Sequence, residues 1–537
     1  MNLFDTVKKK VRGWMQKTGA STGLAREFKD VFELGGVPAF NQFYYFGIFI
    51  WKWIYKGMYK AWHIVPDFSP LHPNGQRELY RLDTAKAVCS ELAGLIWAEQ
   101  CEVHVSRDGA VPEDGQTDPL DAFVSDVLRR NGFTEKMQSF VEQGLALGGG
   151  AIKPYVDGRM AEGGIVSGTE VIRLSYCMAD QFVPIAWDNA EVREGVFISR
   201  LARGGYYYTR LEWHRWDGAT YVIDNELYRA DKGGPAESQD ILGIRYPLQE
   251  IYPNLQEHVE LPGIRHPLFS YFRTATANNI DDNSPLGMSV YGNSLSVLHA
   301  IDIVFDSFVN EFILGRKRII VPSSYLDVVV DRETGQLIRR FDPHHCVFEA
   351  LNIDPDSGDM PTDNTQTLRV TDHREGLNIL FSVLCLQMGF SPGTFTFDQA
   401  GGVKTATEVI SENSKTYKTI KGNQAQLKTA IQRAIDGIIE LAVLYDMRTA
   451  EGVPVASLVQ GGYHVNVVFD DSILQDRQTN LNEGILLVTN GLMSKLTYMT
   501  SILGMTREEA LAEIDAIRRE NGVSGTALDE MLLGGAE

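Results

Sequence analysis

The sequence predicts an α+β protein in which a mixed domain gives way to two helices around a compact insertion. Three observations predict it. Between Leu79 and Glu99 the apolar residues Leu82, Ala85, Val88, Leu92, Leu95 and Ile96 recur in helical steps. From Ala151 to Tyr228 the pattern turns to short runs, AIKPYV, VFISRLA, YYYTRLEWHRW and TYVIDNELY, which read as antiparallel strands. Beyond Pro267 helical periodicity returns in two stretches separated by residues 319–371.

The elements follow in order. A second helical stretch runs from Asp121 to Leu147 and ends at the triplet Gly148–Gly150. After the strands, the loop LFSYFRTATANNIDDNSPLGMSVYGNS leads into a helix with one apolar stripe, Leu298, Ile301, Phe305, Phe308 and Phe312. Asp302, Asp306 and Glu311 lie off that stripe, and Arg316, Lys317 and Arg318 follow where a helix C-terminus favours cations. In the insertion, LDVVV and QLIRRF flank DRETG, a hairpin signal with Gly335 in the turn, and residues 354–364 read as an acidic loop.

Asp372 and Glu375 have capping-box spacing at the start of the next helix, which carries Leu377, Leu380, Val383, Leu384 and Met388. Gly389 and Pro392 end it. Then comes the loop GFSPGTFTFDQAGGVKTATEV. Thr405 and Glu408 open a long helix to about Asp446, with Ile420, Leu427, Ile431, Ile435 and Ile438 on one side. A strand, YHVNVVF, an amphipathic stretch near 480–489 and the helix TREEALAEIDAIRRENG complete the chain.

Composition narrows the class. Apolar and charged fractions of 44% and 22% are ordinary, which excludes a globally disordered chain. A formal charge of −20 excludes a protein that wraps nucleic acid with its whole surface, but not one that lets nucleic acid pass without sticking. Cys89, Cys101, Cys177, Cys346 and Cys385 form no CxxC pair and are odd in number, which predicts free thiols and a reducing compartment. The opening MNLFDTVKKK has no signal-peptide core. Residues 1–60 are basic and end in the aromatic segment Phe40–Trp62, whose apolar run Phe43–Trp51 is about half the length of a membrane span. Two readings stand: a segment packed on its own protein or a neighbour, and an interfacial membrane helix.

Catalytic motifs fail in turn. GLALGGGAIK lacks the GK[ST] ending of a phosphate-cradling loop, and GMSVY lacks the second glycine of a nucleophile elbow. His344, His345 and Cys346 have no second cluster at zinc spacing. Asp281 and Asp282 could hold a divalent ion or form an Asx-rich turn. No catalytic residue, metal or cofactor is therefore expected. A helix with an apolar stripe, acids off the stripe and a basic end suits identical subunits lining a channel, where acidic walls repel phosphate. A solvated helix face explains the same acids.

The segments RLDTAKAVCSELAGLIWAEQ, LALGGGAIKPYVD, DQFVPIAWDN, YYYTRLEWHRW, NNIDDNSPLGMSVYGNS, EFILGRKRIIVP and KTATEVISENSKTYKTIK resemble bacteriophage portal proteins, in the branch typical of long-tailed phages of Gram-positive bacteria. The resemblance implies a non-enzymatic virion protein: a ring, usually of twelve subunits, at one capsid vertex, through which a separate terminase drives double-stranded DNA. It implies an N-terminal arm (1–66), a wing (67–292 and 447–490), a first stem helix (293–318) and a clip (319–371). A second stem helix (372–389), a tunnel loop (390–404), a long helix (405–446) and a helical crown with tail (491–537) follow.

On that mapping Thr394, Phe395, Thr396, Phe397, Asp398 and Lys404 of the loop meet neighbouring loops or DNA, with burial of both phenylalanines under the long helix as the alternative, and Asp302, Asp306 and Glu311 of the stem meet DNA. Arg316, Lys317 and Arg318 sit near the motor. The implied partners are further copies of the chain, the terminase large subunit, a head-completion (adaptor) protein, and the major capsid and scaffolding proteins, with no membrane. Two other classes compete: a membrane-associated metal-dependent enzyme using Asp281, Asp282 and His344, and a capsid-type protein without a conduit.

Overall fold

The structure, a computed structural model, describes residues 42–66, 75–98, 101–107, 118–158, 160–161, 164–165, 170–189, 191–231, 242–315, 319–322, 328–330, 337–339, 348–351, 362–363, 367–397, 414–469, 484–501, 503 and 507–520. Its contacts divide the chain into two units, residues 1–400 with 418–469, and residues 401–417 with 470–537.

The first unit opens on α1 (Gln42–Tyr55) and α2 (Lys60–His63), followed by the antiparallel pair β1 (Ile64–Pro66) and β2 (Gln76–Glu78). The aromatic face of α1 points inward: Tyr44, Ile48 and Trp51 are buried. The Tyr44 hydroxyl donates to the Gly287 carbonyl, Tyr291 donates to the Trp51 carbonyl at 2.8 Å, and Lys52 pairs with Asp180. Of the two readings of this segment, packing on its own protein is the one found. Among the described residues no helix is long and apolar enough to cross a membrane.

Next come α3 (Thr84–Ile96), β3 (Glu102–Arg107), α4 (Pro119–Arg130) and α5 (Phe133–Leu147). The helix expected from 121 to 147 is thus two. Gly132 takes a left-handed φ of 58°, and the buried Asn131 amide donates to the Val127 and Ile172 carbonyls at 2.8 and 3.0 Å while accepting from Leu174 N at 3.0 Å. A side chain that bonds backbone on a neighbouring strand and a residue free to turn left end the helix where periodicity alone carries on.

β4 (Gly149–Asp157), the short hairpin β5 (Met160–Ala161) and β6 (Gly164–Ile165), and β7 (Val171–Met178) follow. The main sheet is β8 (Phe182–Asp188), β9 (Glu191–Arg203), β10 (Tyr206–Asp217), β11 (Thr220–Asp231) and β12 (Ile244–Tyr246), neighbours in reverse order, with β13 (His258–Leu261) on the other end of β11. Gly204 and Gly205 both have positive φ, as the tight turn joining β9 to β10 requires. β14 (Ser270–Arg273) pairs with β4, which pairs with β7. Phe182, Phe197, Phe269 and Tyr271 join the two sheets, with centroids 5.0–5.6 Å apart.

The glycines that fail the phosphate motif have a packing reason. At Gly148, φ is 93° and a Cβ would lie 2.5 Å from the Gly287 carbonyl oxygen, so two backbones pass where no side chain fits.

α6 (Leu295–Leu314) is followed by the insertion, in which β15 (Ile319–Pro322), β16 (Val328–Val330), β17 (Leu337–Arg339), β18 (Phe348–Leu351) and β19 (Thr362–Asp363) are described. β16 and β17 form the hairpin expected around DRETG, with Val330 opposite Leu337. β15 runs parallel to β18 and antiparallel to β19. Then come α7 (Val370–Met388), α8 (Ser414–Leu444), α9 (Val455–Leu458) and β20 (Tyr463–Val468), which pairs with β3. Ile420, Leu427, Ile431, Ile435 and Ile438 of α8 are buried, as their spacing predicts.

In the second unit α10 (484–489), α11 (Lys495–Ser501) and α12 (Arg507–Glu520) are described. The Ser494 hydroxyl accepts from Thr497 N at 3.0 Å and caps α11, and α12 buries Ala510.

Candidate functional site

The helices α6 and α7 and the chain that follows them carry most of the residues singled out by sequence. The acids of α6 are used inside the subunit. Asp306 accepts from Arg77 through both oxygens, at 2.7 and 2.6 Å, and from Tyr80 N at 3.0 Å. Asp302 accepts from Leu82 N at 3.1 Å and lies 3.7 Å from His63. Both are buried. Asp302 and Asp306, expected to face a channel, anchor the segment 75–82 inside the subunit, because a carboxylate out of water needs donors and this segment supplies them. Arg77 holds the Asp306 carboxyl below its ordinary range, against the opposing effect of burial.

Glu311 lies one turn further on. Arg369 reaches it through Nη2 at 2.7 Å, Nε at 3.1 Å and its backbone N at 3.3 Å, and His373 stands 3.8 Å away. The Arg369 guanidinium pulls the Glu311 carboxyl down to about 2. Within the subunit the charge of Glu311 is matched by Arg369. This pair sets where α7 begins. The helix starts at Val370, with Arg369 as N-cap, so Asp372 lies in the first turn and not at the cap position its spacing to Glu375 suggested.

The apolar stripe of α6 divides. Leu298 and Ile301 are buried in the subunit, Phe308 meets the His373 ring edge-on at 5.9 Å, and Phe312 is exposed. On α7 a second stripe faces solvent: Ile379 is 65% exposed and Leu386 62%, with Val383 between them, and with Asn378 and Ser382 they line one shallow depression.

Of the loop after α7, residues up to Phe397 are described. Gly389 ends the helix with a φ of 77°. Thr394 is tied back to the Ser391 carbonyl, with its hydroxyl donating at 2.8 Å, and the Phe395 ring packs on Phe390 at 5.4 Å. Asn378 of α7 takes two bonds on Oδ1, from Phe397 N at 3.0 Å and from the Thr396 hydroxyl at 3.3 Å, and Phe397 stands edge-on to Phe381 at 5.3 Å while 52% exposed. The two phenylalanines thus have different neighbours. Asp398, Lys404, Arg316, Lys317, Arg318 and the His344–Cys346 run lie outside the described residues.

The NNIDDNSP turn is built by Asn278, whose Oδ1 accepts from Ile280 N and Asp281 N at 3.1 and 3.0 Å, an Asx turn. Among the described residues no group of three or more His, Cys, Asp or Glu side chains could hold a metal ion.

One cluster was missed. Lys153, Glu212 and His214 are buried together in the first unit. Glu212 Oε2 accepts from Lys153 at 2.6 Å and from Arg210 at 3.0 Å, and its Oε1 lies 3.2 Å from His214 Nε2. His214 Nδ1 is 2.8 Å from the Tyr221 hydroxyl, which accepts from Leu268 N at 3.1 Å. That hydroxyl proton therefore goes to Nδ1, and a neutral imidazole donates through Nε2 to Glu212. Burial alone would push the Glu212 carboxyl up, but Lys153, His214 and Arg210 hold it well below the ordinary range. Burial pushes His214 down, with Glu212 opposing. With Lys153, Glu212 and His214 buried, the network ties β4 and β10 together in the core. Its signal in the sequence is three ionisable residues at every second position of YYYTRLEWHRW, which places Arg210, Glu212 and His214 on one strand face.

The family model described as phage portal protein, SPP1 Gp6-like, matches residues 54–523. The chain belongs to this family. A search of curated proteins finds no match. Among solved structures, a chain from the virion of a native gene transfer agent particle is similar at 12% identity and a TM-score of 0.35, over 79% of this chain and 89% of that one.

Proposed function

We propose that the protein is the ring-forming portal subunit of a phage capsid vertex, a non-enzymatic conduit for packaging and ejecting double-stranded DNA. In this reading α6 and α7 are the stem helices, residues 319–371 the clip, 390–404 the tunnel loop, α8 the long helix, and the sheets the wing. The ring is a dodecamer, and the terminase large subunit and a head-completion protein dock at the clip, near Arg316, Lys317 and Arg318. Major capsid and scaffolding proteins contact its outside.

The observation that carries the reading, beyond family membership, is the exposed stripe Ile379, Val383 and Leu386 on α7, together with exposed Phe312 and Ile313 at the end of α6. An aliphatic stripe of this kind on a monomer calls for a partner. Two different apolar surfaces joined head to tail between copies make a heterologous contact, the type that forms a ring when its rotation closes and a filament when it does not.

Each aliphatic side chain buried at such a seam contributes about 1.5–3 kcal/mol. The variant Ile379→Asp/Leu386→Asp is therefore expected to weaken assembly by at least about a hundredfold per seam. Rings seen by light scattering and negative-stain microscopy should become monomers with an unchanged circular dichroism spectrum, since neither residue is buried in the subunit. Intact rings in the variant, or no rings of the wild type at any salt or protein concentration, refute the assignment.

The loop has its own test. Replacing Phe395, Phe397 or Lys404 by alanine should lower packaged DNA while rings still form. Normal packaging in all three variants removes the loop from the DNA path.

A further inference from the structure

The open end of the main sheet carries a patch that the portal reading does not use, and it stands whether or not the subunits close into a ring. Directly opposite residues make one row across four strands, Leu201 on β9, Tyr208 on β10, Arg229 on β11 and Ile244 on β12. The adjacent row holds Arg203, Tyr206 and Asp231. Cross-strand partners share a face, so these side chains form one surface. Its inner part is covered, because Leu248, Ile251, Tyr252 and Leu255 pack on Tyr208 and Leu227. The outer part is open: Ile244 is 63% exposed, and Leu201 and Arg203 are exposed beside it.

The arginines here lack carboxylate partners among the described residues. Arg229 lies between the Tyr206 and Tyr246 rings, at 4.6 and 4.7 Å, which orients its guanidinium without neutralising it. Arg203 has no side-chain ion pair or hydrogen bond among the described residues, and Asp231, on the same face, pairs with neither arginine. Arginine, tyrosine and exposed aliphatic groups together are the composition of a protein-binding hot spot. Two orientable guanidiniums with free donor forks match carboxylates bidentately. Two cations flanked by Leu201 and Ile244, on a chain of net charge −20, are poor terms for a nucleic-acid backbone, which needs many phosphate contacts.

We propose that this sheet end is a docking site for an acidic, amphipathic segment of a protein partner, with Arg203 and Arg229 taking its carboxylates and Leu201 and Ile244 its apolar side chains.

The test uses the full chain and a fluorescent synthetic peptide of repeated Glu-Glu-Leu, with a Gln-Gln-Leu peptide and a mixed-sequence duplex as comparisons. The glutamate peptide should bind in low salt, and Arg203→Glu should weaken it about tenfold or more, since a hydrogen-bonded charge contributes about 1.5–3 kcal/mol. Arg203→Glu should melt like the wild type because the side chain holds nothing in place. Arg193→Gln, on the same strand but paired with Asp188 at 3.3 Å, should bind as the wild type does. Arg229→Gln should weaken binding as well, and it is read only if its melting is unchanged. Equal binding of the glutamine peptide, binding untouched by Arg203→Glu, no peptide binding, or tighter binding of the duplex that Arg203→Glu abolishes would each overturn the proposal.

Discussion

Glu212→Ala should destabilise the first unit by about 3–5 kcal/mol, because removing one partner of a buried ion pair strands the other. Lys153 is 5% exposed and cannot rehydrate in place, and the Phe197 ring at 4.7 Å does not replace a carboxylate. His214 loses its acceptor at the same time. A large fall in the urea midpoint is the expected result. The pair itself need not be stabilising, however, since burying two charges costs about as much as their attraction returns. Lys153→Met/Glu212→Leu should therefore recover most of the loss. If the single variant unfolds at the wild-type midpoint, the network is not what holds this core.

The same groups predict acid sensitivity. His214 and Glu212 both have lowered values in the folded chain, so each binds fewer protons folded than unfolded over part of the acid range. Their stabilisation is present above the unfolded-state values and is lost as pH falls, first through His214 below about 6.5 and then through Glu212 below about 4.3. A urea midpoint that declines from neutral pH towards 5, and declines less in His214→Phe, would bear this out. A flat profile would count against it.

Asp306→Ala is the second large effect, about 2–3 kcal/mol, because four contacts to the carboxylate go at once, two from Arg77, one from Tyr80 N and one from the Asn310 amide. Arg77 is a third exposed on its side chain and can turn to water, which keeps the loss below that at Glu212. The signature is local. Hydrogen exchange should accelerate at Tyr80, and in Asp302→Ala/Asp306→Ala at Leu82 as well, while α8 stays protected. Unchanged exchange at Tyr80 would mean that the segment 75–82 is held by something other than these carboxylates.

Much of the fold was legible because its elements are periodic. The strand runs of 151–228, the DRETG hairpin, the buried side of α8 and the strand at 463–468 follow from period 2 or 3.6 and turn chemistry. The misreadings share one cause. Asn131 breaks a helix because its amide finds backbone on β7. Arg369 starts α7 early because Glu311 waits across from it. Asp302 and Asp306 are buried because residues 75–82 cross over them. In each case a polar side chain takes a partner distant in sequence, and local pattern does not contain that information. The same holds for Lys153 and Glu212, whose strands are brought together only by the sheet packing. The exposed stripe of α7 was half visible: Val383 was read as part of the helix's apolar side, and only its surroundings show that it faces outward.

Where α6 ends and α7 begins, the chain leaves at Gly315 and returns at Leu368, which touch, and the Glu311–Arg369 pair closes the gap between them. Everything between those positions is in effect a cassette. Its length can change at a cost that grows only as the logarithm of the number of residues, and its sequence can change without disturbing the helices that present it. A lineage could lengthen, shorten or exchange this part while the rest of the subunit stays as it is.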